Sequence, residues 1–196
     1  MNMGLGDLNF KIGSVNPSGI GCTIYRIRKS QIKSWPTLQD DPDAMELHSA
    51  ADLATLVGDF VLEEKAVFEK FYSTQGLGKI TYETSGETDS KMFINKGEVS
   101  FPDLSAEALG FAKASVNDDY VYIVKSAGRY HVIGSADYRC VTSPAGDSGA
   151  APGSAKGVKF SVECPDVTPL PIYAGQLPVQ GGSYDLSTGV FSPTVV

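Results

Sequence analysis

The sequence predicts a mainly β fold: a sandwich or barrel-like domain with one flanking helix, a long loop and an extended C-terminal arm. The 196 residues include 21 glycines and 11 prolines, a composition that favours many short strands and turns over long helices. Short runs of β-branched and aromatic residues recur, and one segment alone has clear amphipathic helical periodicity. With 42% hydrophobic residues, the chain can build a core, and its length predicts a single domain over 1–196.

The strand signals are spread over most of the chain. Segment 58–74 also fits a helical face, but its Phe, Val and Tyr content favours a strand. Residues 118–135 alternate on both sides of the sequence SAG, which predicts a hairpin. The other predicted strands are 20–29, 78–84, 90–101 and 157–164, with the sequence SGETD as a turn between the second and the third.

Three further segments lack strand periodicity. Residues 30–57 contain two prolines and an acidic cluster, which predicts a long loop, with a short helix after a capping box formed by Ser49 and Asp52. Residues 165–196 contain five prolines and irregular aromatics, which predicts an extended arm that is ordered against a neighbour. Segment 102–115 predicts the amphipathic helix, capped by Asp103 or Ser105, with an apolar stripe of Leu104, Ala108, Phe111 and Ala112.

The charge of the chain is unevenly distributed. Residues 1–35 carry five Lys/Arg and one Asp, a sum of +4, whereas residues 36–119 carry six Lys and seventeen Asp/Glu, a sum of −11. Residues 120–196 carry five of each sign, so the net charge is −7. Because affinity for phosphates comes from Lys and Arg, this balance argues against general nucleic-acid binding and is compatible with a surface that repels DNA.

The tetrapeptide Gly146–Gly149, GDSG, matches the nucleophile loop of chymotrypsin-like serine proteases. His48, an acid such as Asp89 or Asp103, and Ser148 would follow the chain order of that class. The motif here continues Ala-Ala instead of Gly-Pro, and Ala, Ser, Pro and Gly flank it, as in a mobile surface loop. The interpretation preferred here is a flexible connection over 141–157 and a protein that is not an enzyme, with the protease kept as an alternative.

No cofactor or metal site is predicted. The chain has two His and three Cys without a C-x-x-C pair, and the acidic cluster at 40–43 lacks the Gly and Glu of a calcium loop. Cys22, Cys140 and Cys164 are expected to be free thiols, buried, in a reducing compartment. No secretory leader or membrane-spanning run is expected, because no apolar stretch approaches 18 residues.

The arrangement of residues 58–164 resembles the tail tube, or major tail, proteins of tailed bacteriophages. The resemblance is carried by the segment DFVLEEKAVFEKFYSTQGLGKITYETSGETDSKMFINKGEVSFP, the helix AEALGFAKASV and the hairpin YVYIVKSAGRYHVIGS. It implies a β-sandwich that forms hexameric rings, stacked head to tail around a lumen through which DNA passes without sequence-specific binding. Other tail proteins would be its partners, the virion its location and the host cytoplasm its place of synthesis.

Other classes stay open at this point. A neck, tail-tip or capsid-associated virion protein would share the same style of sequence, and a monomeric sugar-binding or adhesin module is a further alternative. Under the tube interpretation, acidic residues of the middle segment line the lumen and a basic group contacts the next subunit. Trp35, the single Trp, either anchors a partner or pins the long loop to the core. The lumen candidates are Glu63, Glu64, Glu69, Glu83 and Glu87, and the inter-subunit candidates are Arg26, Arg28, Lys29 and Trp35.

Overall fold

The computed structural model describes residues 8–39 and 49–193 and confirms a mainly β, sandwich-like fold with one α-helix. Strands come from nearly every described part of the chain, and most are shorter than eight residues. In chain order the elements are β1 (Thr23–Arg28), β2 (Ile32–Ser34), β3 (Thr37–Leu38), β4 (Thr55–Val57), β5 (Val61–Leu62), β6 (Glu69–Tyr72), β7 (Lys79–Ser85), β8 (Met92–Phe101), α1 (Ala106–Ser115), β9 (Tyr120–Ser126), β10 (Arg129–Ile133), β11 (Val141–Asp147), β12 (Gly157–Asp166), β13 (Ile172–Tyr173), β14 (Gln176–Val179), β15 (Gly182–Asp185) and β16 (Val190–Pro193).

A seven-stranded sheet forms the middle of the molecule, in the order β3-β4-β13-β10-β9-β1-β6. Its strand β9 begins with the continuous apolar run YVYIV, and all five of these residues are buried. Because successive side chains of a strand point to opposite faces, a run without polar residues requires cover on both faces of the sheet. Tyr122 and Val124 accordingly belong to one core cluster, and Val121 and Ile123 to a second.

A four-stranded antiparallel sheet, β11-β12-β8-β7, covers the first face together with α1. Strand β12 alternates buried and more exposed residues along its length, so it presents one apolar face inward. Phe160 of that face lies 5.7 Å from the ring of Phe111 on α1 and 5.9 Å from the ring of Phe71 on β6. The helix therefore closes the cleft between the two sheets at the β6 edge.

The second face is covered by the C-terminal meander β14-β15-β16 and by the segment around the β2–β5 pair. Phe60 is the centre of this layer: its ring makes edge contacts with Trp35, Phe68 and Tyr173 at centroid distances of 5.5, 5.6 and 5.0 Å. Leu177 and Val179 of β14 are 0% and 2% exposed. The molecule thus has three layers, with the seven-stranded sheet in the middle.

The predicted helix and its stripe are confirmed, and the cap is resolved in favour of Ser105. The Ser105 hydroxyl accepts a hydrogen bond from the Ala108 N–H at 3.3 Å, which satisfies one of the free donors of the first turn. The short helix predicted after the capping box is reduced to a 3₁₀ turn over Asp52–Ala54, since Leu56 and Val57 lie in β4; the Asp52 carboxylate accepts the Ser49 N–H at 2.8 Å.

Residues 30–57 are not one long loop, which corrects that prediction for the described part. They contain β2, β3 and β4, and β4 pairs in parallel with β13 inside the central sheet. The strands are two or three residues long, too short to give a visible period. The acidic cluster at 40–43 lies outside the described residues. Segment 58–74 is likewise two strands, β5 and β6, separated by a turn in which Lys65 has a φ of 66°.

The C-terminal segment is not an arm that awaits a neighbour, which corrects a second prediction. Its strand β13 lies in the central sheet, and β14–β16 form the third layer on the molecule's own core. The prolines mislead because they lie near the end of β12, in the connection to β13 and in short strands of the meander, positions in which a missing N–H is tolerated. A third correction concerns 141–157: residues Val141–Asp147 form strand β11, so only the turn after it is irregular.

The third layer can be tested through Leu177. We expect Leu177→Ala to lower the free energy of unfolding by about 2–5 kcal/mol, because it opens a cavity in a fully buried site. Val190→Ala, at a side chain that is 56% exposed in the same meander, is the control and should change the value by less than about 0.5 kcal/mol. Urea denaturation followed by circular dichroism measures both, and equal effects would contradict the third layer.

Candidate functional site

The GDSG tetrapeptide sits at the end of β11, with Gly146 and Asp147 in the strand and Ser148 in the following turn. The Asp147 carboxylate accepts the Gly149 N–H at 2.9 Å, so it stabilises the turn. The exposed Ser148 hydroxyl lies 3.5 Å from the Gly149 carbonyl oxygen. His131 belongs to β10 of the other sheet, where its Nδ1 lies 3.0 Å from the Leu170 carbonyl oxygen, and His48 lies outside the described residues. The described geometry gives the protease alternative no support.

Arg26 is buried within its own chain, which corrects its assignment as an inter-subunit residue. Its side chain is 3% exposed, and its guanidinium carbon lies 3.1 Å from the ring centroid of Phe111 and 4.2 Å from that of Tyr120. Its Nε donates to Glu69 at 3.0 Å, and its Nη1 donates to the Ser115 hydroxyl. A guanidinium can be buried in this way because its planar faces stack while its edge donates.

The other candidates for inter-subunit contact lie nearer the surface. Arg28 is half exposed and pairs with Asp118 at 2.8 Å, while Lys29 donates to the Tyr138 carbonyl oxygen at 2.9 Å. The pKa of Arg28 is raised, first by its hydrogen bond with the Tyr120 hydroxyl. Trp35 is half-buried against Phe60, which favours the second of its two predicted roles, that of pinning its segment to the core.

The five acidic candidates do not share one layer of the molecule. Glu63 and Glu64 follow β5, and Glu63 pairs with Lys33 at 3.1 Å. Glu69 lies in β6 and pairs with Arg26. Glu83 alone lies on the solvent face of the four-stranded sheet, and Glu87 lies in the turn after that strand. Their orientation towards a lumen stays a prediction.

The solvent face of the four-stranded sheet carries an ion-pair lattice, defined here as Lys79, Glu83, Lys96, Glu98, Lys159 and Glu163. Lys96 lies between Glu83 and Glu163, at 2.8 and 3.3 Å, and its pKa is raised by hydrogen bonds to Glu83 and then Glu163. Glu98 lies between Lys159 and Lys79, at 2.7 and 3.4 Å, and its pKa is lowered, first by its hydrogen bond with Lys159. Three positive and three negative side chains thus neutralise one another.

This lattice follows from the register between β7, β8 and β12, which was not predicted from the sequence. Lys96 stands opposite Thr81 on β7 and Glu163 on β12, and Glu98 stands opposite Lys79 and Ser161. Opposite charges on neighbouring strands attract, and like charges directly opposite would destabilise the sheet. The available signal was the alternation of charge within NKGEVS, where Lys96 and Glu98 are two residues apart and therefore share a face.

The four-stranded sheet ends in two free edges. Strands β7 and β11, each of seven residues, lie at the two ends of the sheet order, and neither has a second strand partner in the described part of the chain. The residues of β7 other than Ile80 are exposed. An edge of this length presents a row of unpaired N–H and C=O groups to a further strand.

Several clefts flank the central sheet, and two of them lie beside aromatic side chains. One, of about 290 Å³, lies between β6 and α1 and is lined mainly by aromatic side chains, among them Phe71, Phe111 and Phe160. The other, of about 250 Å³, lies beside Trp35 and includes Asp166, whose pKa is raised by burial. Within 8–39 and 49–193, no three His, Cys, Asp or Glu side chains are grouped as metal ligands would be.

Two further sequence predictions concern the state of the cysteines and a membrane-spanning run. Cys140 and Cys164 are free and buried, as predicted, while Cys22 is free and half-buried. The pKa of the Cys140 thiol is raised by its hydrogen bond with Cys164 and by burial. In the described residues, no helix has the length and apolar character needed to cross a bilayer.

Arg26 provides a test of the buried stack. We expect Arg26→Ala to lower the free energy of unfolding by about 2–4 kcal/mol, because hydrogen bonds to a charged group and a desolvated cation–π contact are lost together. Arg28→Ala removes a half-exposed ion pair and should cost about 0–1 kcal/mol. Both values come from urea denaturation. A loss at Arg26 no larger than that at Arg28 would contradict the buried role.

Compared with known proteins, the chain matches no family model, no curated protein and no solved structure. The free strands β7 and β11 and the ion-pair lattice are organised features of its described surface.

Proposed function

We propose that the protein is a structural virion protein that assembles into stacked rings and forms a phage tail tube through which DNA passes. The single observation that carries the proposal is the four-stranded sheet with a free seven-residue strand at each end. The resemblance of residues 58–164 to tail tube proteins supplies the biological setting. The protein would act in the virion tail, with other tail proteins as partners.

The directions of the two free strands suit a ring. Each neighbouring pair in the order β11-β12-β8-β7 is antiparallel, so β7 and β11 also run in opposite directions. When copies are related by rotation about an axis along the strands, the β7 of one copy meets the β11 of the next in antiparallel orientation. Such a heterologous contact uses a different surface on each partner and closes into a ring when the rotation angles sum to a full turn.

Pro144 restricts this pairing. It lies in the middle of β11, opposite Phe160, and an edge strand tolerates proline when the missing N–H is on its unpaired side. One donor is therefore absent from the proposed junction, and the flanking residues of β11 would supply the hydrogen bonds. A missing donor at a fixed position also limits which register a neighbouring strand adopts.

The ion-pair lattice suits the wall of a DNA channel. If the four-stranded sheets of the ring enclose the lumen, the lattice faces the DNA, because the opposite face is buried in the core. Each of its three lysines already pairs with a glutamate, which leaves no excess positive charge to bind phosphates. Under this proposal Glu83 and Glu87 remain lumen candidates, and Glu63, Glu64 and Glu69 belong to other surfaces.

Negative-stain microscopy of the purified full-length chain tests the assembly, and we expect rings or tubes with a central hole. Alternate N–H groups of an edge strand point outward. We therefore substitute proline for Thr81 and, separately, for Tyr82: one variant loses an N–H that points outward from β7, and the other loses an N–H that pairs with β8. The variant that keeps the wild-type melting temperature has lost the outward N–H, and it should form no rings. The variant that loses thermal stability is the internal control. Rings formed equally well by the thermally unchanged variant would contradict the junction.

The lattice predicts how the protein treats DNA. The double substitution Glu98→Gln with Glu163→Gln leaves three lysines facing one glutamate, so we expect duplex DNA binding at low salt. The affinity should fall steeply as salt is raised, because protein binding releases counterions from the DNA and added salt opposes that release. Glu64→Gln with Glu107→Gln makes the same change in net charge at exposed sites elsewhere and should leave DNA unbound. Fluorescence anisotropy with labelled duplex measures both, and equal binding by the two variants would contradict the role of the lattice.

A further inference from the structure

The N-terminal segment presents a row of apolar side chains to solvent. Leu8, Phe10, Ile12 and Val15 are 102%, 71%, 93% and 91% exposed, and Ile20 is the first apolar residue of the segment that packs against the core. Contiguous apolar exposure of this kind marks an interaction site. Within the described residues of the single chain, nothing covers these side chains.

The exposed segment has the periodicity of a strand. Leu8, Phe10 and Ile12 are spaced two residues apart, so they share one face when the backbone is extended, and Asn9 and Lys11 share the other. The segment ends in a turn in which the N–H and hydroxyl of Ser14 donate to the Lys11 carbonyl oxygen, at 3.1 and 2.7 Å. Ile12 is the second residue of that turn, so the extended part of Leu8–Ile12 ends at Lys11, and Leu8 and Phe10 form its apolar face.

The chain also has a sheet edge that an added strand can join, the outer edge of β6. Strand β6 is the last strand of the seven-stranded sheet. Its outer edge is open between two contacts of the described residues: the Phe68 N–H donates to the Pro178 carbonyl oxygen of β14, and the Thr74 N–H donates to the Ser100 carbonyl oxygen of β8. Beside that edge lies the aromatic cleft beneath α1, whose exposed lining residues include Tyr72 and Glu107. Its volume of about 290 Å³ is at the lower end of small-molecule pockets, roughly 300–1,000 Å³, and suits one or two apolar side chains.

The apolar face of the N-terminal segment corresponds to the face of β6 that carries Phe71. Phe71 of β6 points into the cleft, where its ring lies 5.2 Å from that of Phe111. A strand added to the open edge of β6 places alternate side chains on the same face as Phe71, and the apolar side chains of Leu8 and Phe10 fill that face. Strand addition of this type takes its affinity from backbone hydrogen bonds and its specificity from side-chain pockets.

We propose that the extended part of Leu8–Ile12 in one copy adds to the open edge of β6 in a second copy and places Phe10 in the cleft beneath α1. The occupant is a second copy because every copy carries both the apolar strand and the edge that accepts it, so the contact is heterologous and propagates. The inference rests on the proposed self-assembly, and it uses an edge that the β7–β11 junction leaves free.

Cross-linking between full-length chains tests the proposal. Leu8→Cys, which keeps Phe10, and Glu107→Cys are made separately in a Cys22→Ser background, with different affinity tags, and are mixed with a short bismaleimide. We expect a heterodimer at a yield at least about tenfold above that of Leu8→Cys mixed with Lys113→Cys, which is exposed on the same helix and does not line the cleft. Equal yields for the two mixtures would overturn the proposal, and so would a link formed within one chain of the double variant Leu8→Cys/Glu107→Cys.

A pair of charge substitutions gives an independent measurement. Phe10→Asp should weaken self-association by roughly 10- to 100-fold, because the apolar side chain no longer leaves water. Asn9→Asp adds the same charge on the other face of the strand and should leave association unchanged, as judged by sedimentation velocity. Equal weakening by both variants would overturn the proposal. Cross-linking detects a contact between two chains whether or not rings form, so the two proposals can fail separately. A specific heterodimer without rings in the microscope would contradict the ring junction alone. Rings without the specific heterodimer would contradict this inference alone.

Discussion

The need to bury both faces of β9 governs this structure. The run YVYIV has no polar residue to turn towards water, so the seven-stranded sheet must be covered on each side. The four-stranded sheet and α1 cover one face, and the C-terminal meander covers the other. Burying an apolar side chain of this size stabilises the fold by roughly 1.5–3 kcal/mol, so five in a row make an uncovered β9 untenable.

The same constraint determines which surfaces remain open. Since the inner face of the four-stranded sheet is committed to the core, its outer face meets solvent, and the ion-pair lattice keeps that face polar and neutral. The third layer packs on the opposite side of the central sheet and so leaves β7 and β11 as edges. Natural proteins usually shorten or charge such edges to prevent association. Two edges of seven residues, in opposite directions, are the basis for proposing ring assembly.

The sequence predicted the elements with strong local signals and missed those that depend on distant partners. The helix, the hairpin of β9 and β10, and strands β1, β8 and β12 could be read from periodicity and composition. Strands β3, β4 and β13 could not, because two or three residues form strands only when a neighbouring strand supplies the hydrogen bonds. The prolines of the C-terminal segment indicated an extended arm, although Leu177 and Tyr173 are core residues.

The candidate site shows the same division. Glu83 was singled out from the sequence, but its pairing with Lys96 depends on the register between β7 and β8. Arg26 was assigned to an interface as a member of a basic group that would contact the next subunit, whereas α1 and Tyr120 bury it between two rings. Register and helix docking are tertiary properties, and a single sequence carries no direct signal for either.

The central claim is that β7 of one copy pairs with β11 of the next. A cryo-electron microscopy reconstruction of the assembled full-length protein tests it most directly, because the junction lies within a single sheet. We expect continuous strand spacing of about 4.7–4.9 Å across the subunit boundary, with the ion-pair lattice facing the channel. A reconstruction in which β7 and β11 both face solvent, or a protein that stays monomeric at every concentration, would contradict it.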